Sequence, residues 1–462
     1  MINRKWIGMA ALLLALPFGA GRAQSVSAAD SLKATFAEWN IPVTAHNKVV
    51  VMKNGKAKFH QLFRSLNAAQ EEVNLEYFNF RNDTIAGALF GLLAHKAEQG
   101  VQVHALFDAF GNMSNNRPLK ARHLKELHGH GIEIYEFDPI RFPWVNHVLK
   151  RDHRKIVVID RKVAYTGGMN VADYYLDGTP QVGDWRDMHM RIEGPAVEPL
   201  QAIFEKMWKK TTKKELPALE GTSTAPVVPD EAEETHDFAF IAEDAYLKDI
   251  VIGESNSAQL LRLMAERLDT ITYGIGPQHE EVEMAIVDRE PGKTPKHIRR
   301  AYVESINLAQ QKIKLINPYF VPTHSIKRAL KRAAKRGVDL QVMISSRSDI
   351  PFTPDASNYF AYQLVKRGAK VYLFDGGFHH SKIMMVDDDF CTLGSANLNS
   401  RSLRYDYEVN SFIFNQGITK ELCEMFEEDK QQSHELTKTV WKGRTRWSRF
   451  RCWFANLLTP FL

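Results

Sequence analysis

Cysteine is scarce in this chain. Three residues in 462 (Cys391, Cys423 and Cys452) exclude a disulfide framework, and no two of them stand at a zinc-ligand spacing. Long apolar runs are nearly missing too. Trp6–Ala20 comes nearest, and it is shorter than the roughly 20 residues that span a bilayer comfortably, so a polytopic membrane protein is excluded. Charge of one sign is not in large excess. Sixty Lys+Arg against 55 Asp+Glu leave +5, which tolerates an anionic partner without demanding one. No long basic run outlines a nucleic-acid groove, and no nucleic-acid partner is expected. Hydrophobic residues at 44% and charged residues at 25% are ordinary globular usage, which rules out wholesale disorder and collagen. At about 100–200 residues per domain, the length implies two or three domains.

The two ends are distinctive. Arg4 and Lys5 precede the apolar run, and Gly21 and Ala23 follow it. This is the pattern of a signal peptide or an N-terminal anchor over residues 1–23, and it implies a protein at a cell membrane, peripheral or N-terminally anchored, on the exported face. At the other end no acid follows Glu435. Residues 441–462 interleave Arg444, Arg446, Arg449 and Arg451 with Trp447, Phe450, Trp453 and Phe454. Such a segment suits a membrane interface, with rings at headgroup depth and cations on phosphates. It also reads as a terminal helix docking on its own domain through Trp447, Phe450 and Phe454. One face can dock while the other meets lipid.

Between the ends, strand-like and helix-like segments alternate. Val49–Met52, Val73–Phe80 and Val101–Phe107 read as strands, and Lys56–Ala69 and Ile85–Gln99 as helices, the latter stopped by Gly100. Pro217, Pro226, Pro229 and an acidic cluster then mark a linker, followed by a helical pattern over Asp244–Asp269. The rhythm returns with helices over Ile298–Gln311 and Ser325–Lys335, the second stopped by Gly337, and strands over Ile313–Tyr319 and Val338–Ile344. An α/β fold follows, with mainly β-sheet cores flanked by helices.

The second half repeats the first. His153-x-Lys155-x4-Asp160 returns as His380-x-Lys382-x4-Asp387, and Gly167-Gly168-Met-Asn170 as Gly394-Ser395-Ala-Asn397. Every paired position differs by 227 residues. Two such motifs, each with its spaced glycine turn, mean a tandem duplication with domains at 24–214 and 270–440, joined by a linker and connecting helix at 215–269.

The repeated residues suit phosphate chemistry. The apolar stretch after each lysine reads as a buried strand, so His and Lys two residues apart point to one side. An imidazole attacks or protonates, and the neighbouring ammonium offsets the charge on phosphoryl oxygens. Asn170 and Asn397 can add amide donors, and Ser395 a hydroxyl. A phosphodiester exchange needs a nucleophile on one side of phosphorus and a proton donor on the other. Two motifs facing each other across an interface between the halves supply both. A lysine beside each histidine repels a divalent ion and already does its electrostatic work, so no metal or other cofactor is expected.

The paired H-x-K-x4-D with G-[GS]-x-N resembles the phospholipase D superfamily. The flanks, among them Trp185-Arg186-Asp187, Asn317-Pro-Tyr-Phe-Val-Pro322 and Asn397-Leu-Asn-Ser-Arg401-Ser-Leu403, resemble bacterial cardiolipin synthases. The resemblance implies catalytic roles for His153, Lys155, Asp160, His380, Lys382 and Asp387. It also implies a phosphatidyl-histidine intermediate on His153, with His380 as acid and base. Two phosphatidylglycerol molecules would give cardiolipin and glycerol at a membrane surface. An acidic residue downstream of each motif, Asp187 and Glu408, would hydrogen-bond its histidine. The runner-up is a phospholipase D in which water resolves the same intermediate, and a nuclease of the superfamily is a third reading. Two features depart from the family pattern: one short apolar segment stands where a pair of transmembrane helices is usual, and Gly168 stands where many relatives have serine.

Overall fold

The computed structural model describes residues 26–140, 149–218, 274–293 and 295–457. The expectations for residues 1–23, for most of the linker and for Asp244–Asp269 lie outside them.

The first half contributes strands β1 (Thr44–Met52), β2 (Glu72–Tyr77), β3 (Gln102–Asp108), β4 (Ile132–Phe137), β5 (Ile156–Ile159), β6 (Val163–Gly167), β7 (Trp185–Arg186) and β8 (His189–Glu193). The second contributes β9 (Ile275–Arg289), β10 (Lys312–Ile316), β11 (Asp339–Ser345), β12 (Lys370–Phe374), β13 (Phe378–His379), β14 (Ile383–Val386), β15 (Phe390–Gly394), β16 (Glu408–Phe414) and β17 (Ser433–Glu435). Fifteen of these form one sheet, ordered β17-β12-β11-β10-β14-β15-β16-β9-β1-β8-β6-β5-β2-β3-β4. Outward from the β9–β1 seam the two halves run in the same order, which is the duplication seen in three dimensions. The seam is antiparallel and irregular, with register shifts between Thr44 and Asn47 and again at Val49 and Met52.

Local chemistry explains the flanking helices. Asn54 caps the helix Gly55–Asn67 by accepting from Ala57 N–H, and Phe59, Leu62, Phe63 and Leu66 recur on its buried face. Gly100 and Gly337 adopt φ of +93° and +89° just past Thr84–Glu98 and His324–Arg336, a left-handed conformation that L side chains rarely adopt. Strand β2 stops at Tyr77, not Phe80 as the apolar run implied. Beyond it the chain turns into the cleft, and Phe78 accepts from Asp108 N–H.

The domain boundaries differ from the sequence reading at both ends. The helix Ala28–Glu38 packs in the second half, not the first. Leu32 and Phe36 lie in a core with Ile298, Tyr302 and Phe412, and the Phe36 ring meets Phe412 edge-on at 5.3 Å. The helix Arg446–Leu457 docks through Cys452 and Ala455, not through Trp447, Phe450 and Phe454, which are exposed. Arg451 pairs with Asp355 at 2.6 Å, and Trp441 stacks on Tyr362 at 4.3 Å.

Candidate active site

Both motif histidines sit on extended chain just ahead of a buried strand, β5 or β14. Each runs parallel to a segment of the opposite half. Tyr407 N–H donates to Arg151 O at 2.8 Å, and His153 N–H to Tyr407 O at 3.0 Å. In the counterpart, Phe378 N–H donates to Asp184 O at 2.7 Å and His380 N–H to Arg186 O at 2.6 Å, continuing the β13–β7 pairing.

These exchanges cross the acids over. His153 Nδ1 lies 3.1 and 3.2 Å from the two carboxylate oxygens of Glu408. His380 Nδ1 lies 2.7 Å from Asp187 Oδ2. Each histidine is therefore held by the acid of the other half, not by the acid downstream in its own. With Nδ1–H donated to a carboxylate, Nε2 carries the free lone pair.

Burial sets the charge states. It pushes His153 down to about 4, with Lys155 adding to the effect and Glu408 opposing it. His380 is lowered by burial and then by Lys382. Burial pushes Lys155 down to about 7, and Lys382 is lowered for the same reason. Burial alone would raise Glu408, but His153, Lys155 and the Ser395 hydroxyl outweigh it and hold the carboxyl below its usual value. Asp187 is likewise lowered, because Lys382 and His380 outweigh its burial. The free cleft thus holds neutral imidazoles against ionised acids. As pH rises past about 4, His153 becomes the neutral nucleophile, so kcat/KM should rise. His380, which must carry a proton to serve as the acid, is held below its ordinary value of about 6.5. So kcat/KM should already fall above that lowered value, and fall again above about 7 as Lys155 loses its ammonium. In kcat the alkaline limb should lie higher, since a bound phosphodiester anion favours the ammonium. A kcat/KM alkaline limb near the ordinary lysine value of about 10 would contradict this.

Three residues placed in the site by sequence do other work. Asp160 accepts from the N–H groups of Gln70, Glu71 and Glu72 at 2.8, 2.8 and 2.9 Å. Asp387 accepts from those of Gln310, Gln311 and Lys312 at 2.7, 2.8 and 2.8 Å. Both therefore fix the entry of β2 and β10, at the far end of the strand from the histidine. Ser395 does not line the cleft: its hydroxyl donates to Glu408 and accepts from Val409 N–H at 3.0 Å. Gly168 has the matching reason. A Cβ there would lie 2.2 Å from Asp187 Oδ1, so serine would displace the carboxylate that holds His380.

Asn170 and Asn397 do line the cleft together with both histidines, in a cavity of about 700 Å³. The fully buried Lys58 holds the Asn170 carbonyl at 3.1 Å. Behind His153, Arg154 pairs with Glu76 and Asp288, tying the motif to both halves. Sequence reasoning missed further lining residues. Phe78 packs 5.1 Å from the His153 ring, and Trp185 and Tyr319 pack 5.4 and 5.8 Å from His380. Arg81, Arg401 and Asp349 also face the cleft. Phe78 and Tyr319 directly extend strand-like runs, so the pattern read them as strand.

The chain is similar to known proteins over most of its length. The family described as "Cardiolipin synthase, PLD-like domain" matches residues 62–208 and 302–430. Cardiolipin synthase of Listeria monocytogenes serotype 4b (strain CLIP80459) is 30% identical over 91% of this chain and 76% of its own length. That of Staphylococcus aureus (strain Mu50) is 31% identical over 91% of this chain and 74% of its own. Among solved structures, phosphatidylserine synthase of Haemophilus influenzae shares the fold with a TM-score of 0.62 at 13% identity, covering 93% of this chain and all of that one.

Proposed function

The chain belongs to the cardiolipin synthase family of phospholipase D-like proteins, and from that premise we propose that it joins two phosphatidylglycerol molecules into cardiolipin and glycerol. The observation that carries this reading is the pair of crossed His–carboxylate contacts in one cleft. His153 Nε2 attacks phosphorus, forming a P–N bond as the bond to the headgroup oxygen breaks. His380, protonated once the anionic substrate is bound, gives its proton to the departing glycerol. It then takes the proton of a second phosphatidylglycerol's terminal hydroxyl, whose oxygen attacks phosphorus and frees His153. Lys155, Lys382, Asn170 and Asn397 hold the phosphoryl oxygens throughout. The test is purified protein with labelled phosphatidylglycerol vesicles. Cardiolipin and glycerol support the reading. Phosphatidic acid would mean that water resolves the intermediate, and no change would refute both.

Such substrates lie in a bilayer, and we infer that the protein works peripherally on an anionic membrane surface. No helix among the described residues is long and apolar enough to cross a membrane. On the helix Arg446–Leu457, Trp447 is 66% exposed, and Phe450, Trp453 and Phe454 are exposed at 46–50%. Met113 and Ile350, each five residues past the end of β3 or β11, are exposed beside the cleft-lining Ser114 and Asp349, and Phe352 is 61% exposed. Arg451 binds Asp355, two residues from the cleft-lining Thr353, so the aromatic helix stands near the same mouth. The combined variant Trp447→Ser, Phe450→Ser, Phe454→Ser should sediment about tenfold less with anionic vesicles, at a few tenths to about 1 kcal/mol lost per ring. Turnover of detergent-dispersed substrate should be kept. Equal sedimentation would remove this helix from the interface. Deleting the whole tail is a poorer test, because Trp441 is part of the core.

A further inference from the structure

A cleft built for phosphate contains one carboxylate out of keeping with that task. Asp349 lines it four residues past the end of β11. Its Oδ1 accepts from the Tyr319 hydroxyl at 2.7 Å and the Ser348 hydroxyl at 3.3 Å. The Tyr319 ring in turn packs 5.8 Å from the His380 ring. Asp406, the other lining carboxylate, is paired with Arg401 at 3.3 Å, whereas hydroxyls alone hold Asp349 among the described residues. The duplication sharpens the contrast. The corresponding position in the first half is Asn112, whose amide is spent on Leu119, donating to its carbonyl at 2.9 Å and accepting from its N–H at 2.8 Å. A carboxylate therefore faces the cleft on the His380 side and has no counterpart at that position on the His153 side.

A carboxylate repels a phosphodiester but accepts strongly from hydroxyls, since hydrogen bonds to an ionised acceptor are about twice as strong as neutral ones. The same wall carries Thr179, Gln181 and Thr353, neutral groups suited to a polyol. We propose that Asp349, held by Tyr319, is the specificity-determining acceptor for the glycerol hydroxyls of the headgroup on the His380 side. The inference rests on the phosphatidylglycerol reading above and names the part of the site that reads glycerol. Because the leaving and entering oxygens occupy the same side of phosphorus, the one subsite serves twice. It first holds the glycerol that departs, then the glycerol headgroup of the acceptor. Its charge also keeps a second phosphate out of the place where the attacking hydroxyl must sit.

The experiment compares donors differing only in headgroup: phosphatidylglycerol, phosphatidylethanol and phosphatidylethanolamine, each dispersed in detergent with the full-length enzyme. Donor consumption is followed whatever the product. In Asp349→Asn, the kcat/KM ratio of phosphatidylglycerol over phosphatidylethanol should fall about tenfold, the scale of a lost hydrogen bond to a charged group. Tyr319→Phe should shift the ratio the same way, because it releases the carboxylate without removing it. A ratio within about twofold of the wild type in Asp349→Asn would overturn the proposal. So would a loss confined to phosphatidylethanolamine, which would assign Asp349 to an ammonium. Phosphatidic acid as the sole product of the wild type would overturn the transfer reading alone, since the ratio decides the glycerol subsite independently.

Discussion

His153→Ala and His380→Ala should each lower phosphatidyl transfer by about four orders of magnitude or more, the scale seen when one member of a catalytic unit is removed. Neither can cover for the other, because each is buried against a different carboxylate and serves a different step. Their double mutant should be little worse than either single one. Mass spectrometry of acid-quenched enzyme should find the phosphatidyl adduct on His153 alone. An adduct on His380 would exchange the roles, and near-wild-type turnover in either variant would end the two-histidine mechanism.

The acids give the second large effect, with a signature that follows the crossing. Glu408→Gln and Asp187→Asn should each cost roughly 10³–10⁴ in kcat, because an amide no longer fixes the tautomer that leaves Nε2 free. The step affected should be the one performed by the histidine of the opposite half. With a donor bearing a p-nitrophenol leaving group, which needs no proton, Asp187→Asn should still release a burst of nitrophenol and accumulate the adduct. Glu408→Gln should show no burst, since its histidine is the nucleophile. Bursts in the reverse pattern would mean that each acid serves its own half.

Much of this site was legible in the sequence. Repetition at a constant offset disclosed the duplication, and with it the two histidines and two asparagines that line the cleft and the two lysines buried behind those histidines. What escaped was set by tertiary structure. Glu408 meets His153 across 255 residues, and Asp187 meets His380 across 193, so no local spacing encodes either pairing. Asp160 and Asp387 belong to the motif by pattern but not by place. Four strand residues at about 3.3 Å each carry the chain some 13 Å from the lysine end of the motif. Their carboxylates then serve the backbone at a turn where φ is +49° and +53°. Ser395 looked like a phosphate ligand because a hydroxyl near a glycine turn often is one, and only the nearness of Glu408 redirects it. Asp349 carried no signal at all, since a lone acid in a loop is ordinary surface composition.

The helix Ala28–Glu38 has a consequence for the order in which the molecule is completed. It lies early in the chain, yet Phe36 seats against Phe412 and Phe414, and Ala29 N–H reaches Asp389 at 2.8 Å. During synthesis it therefore waits, with Leu32 and Phe36 unshielded, until nearly 400 later residues have emerged. Strand β1, which follows it, closes the seam against β9. A ribosome-bound first half has its own sheet but neither this partner nor Glu408 for its histidine. Reactive chemistry on lipid is withheld from any chain that stops short of β16, because that late strand both seats the first helix and delivers the carboxylate that arms His153.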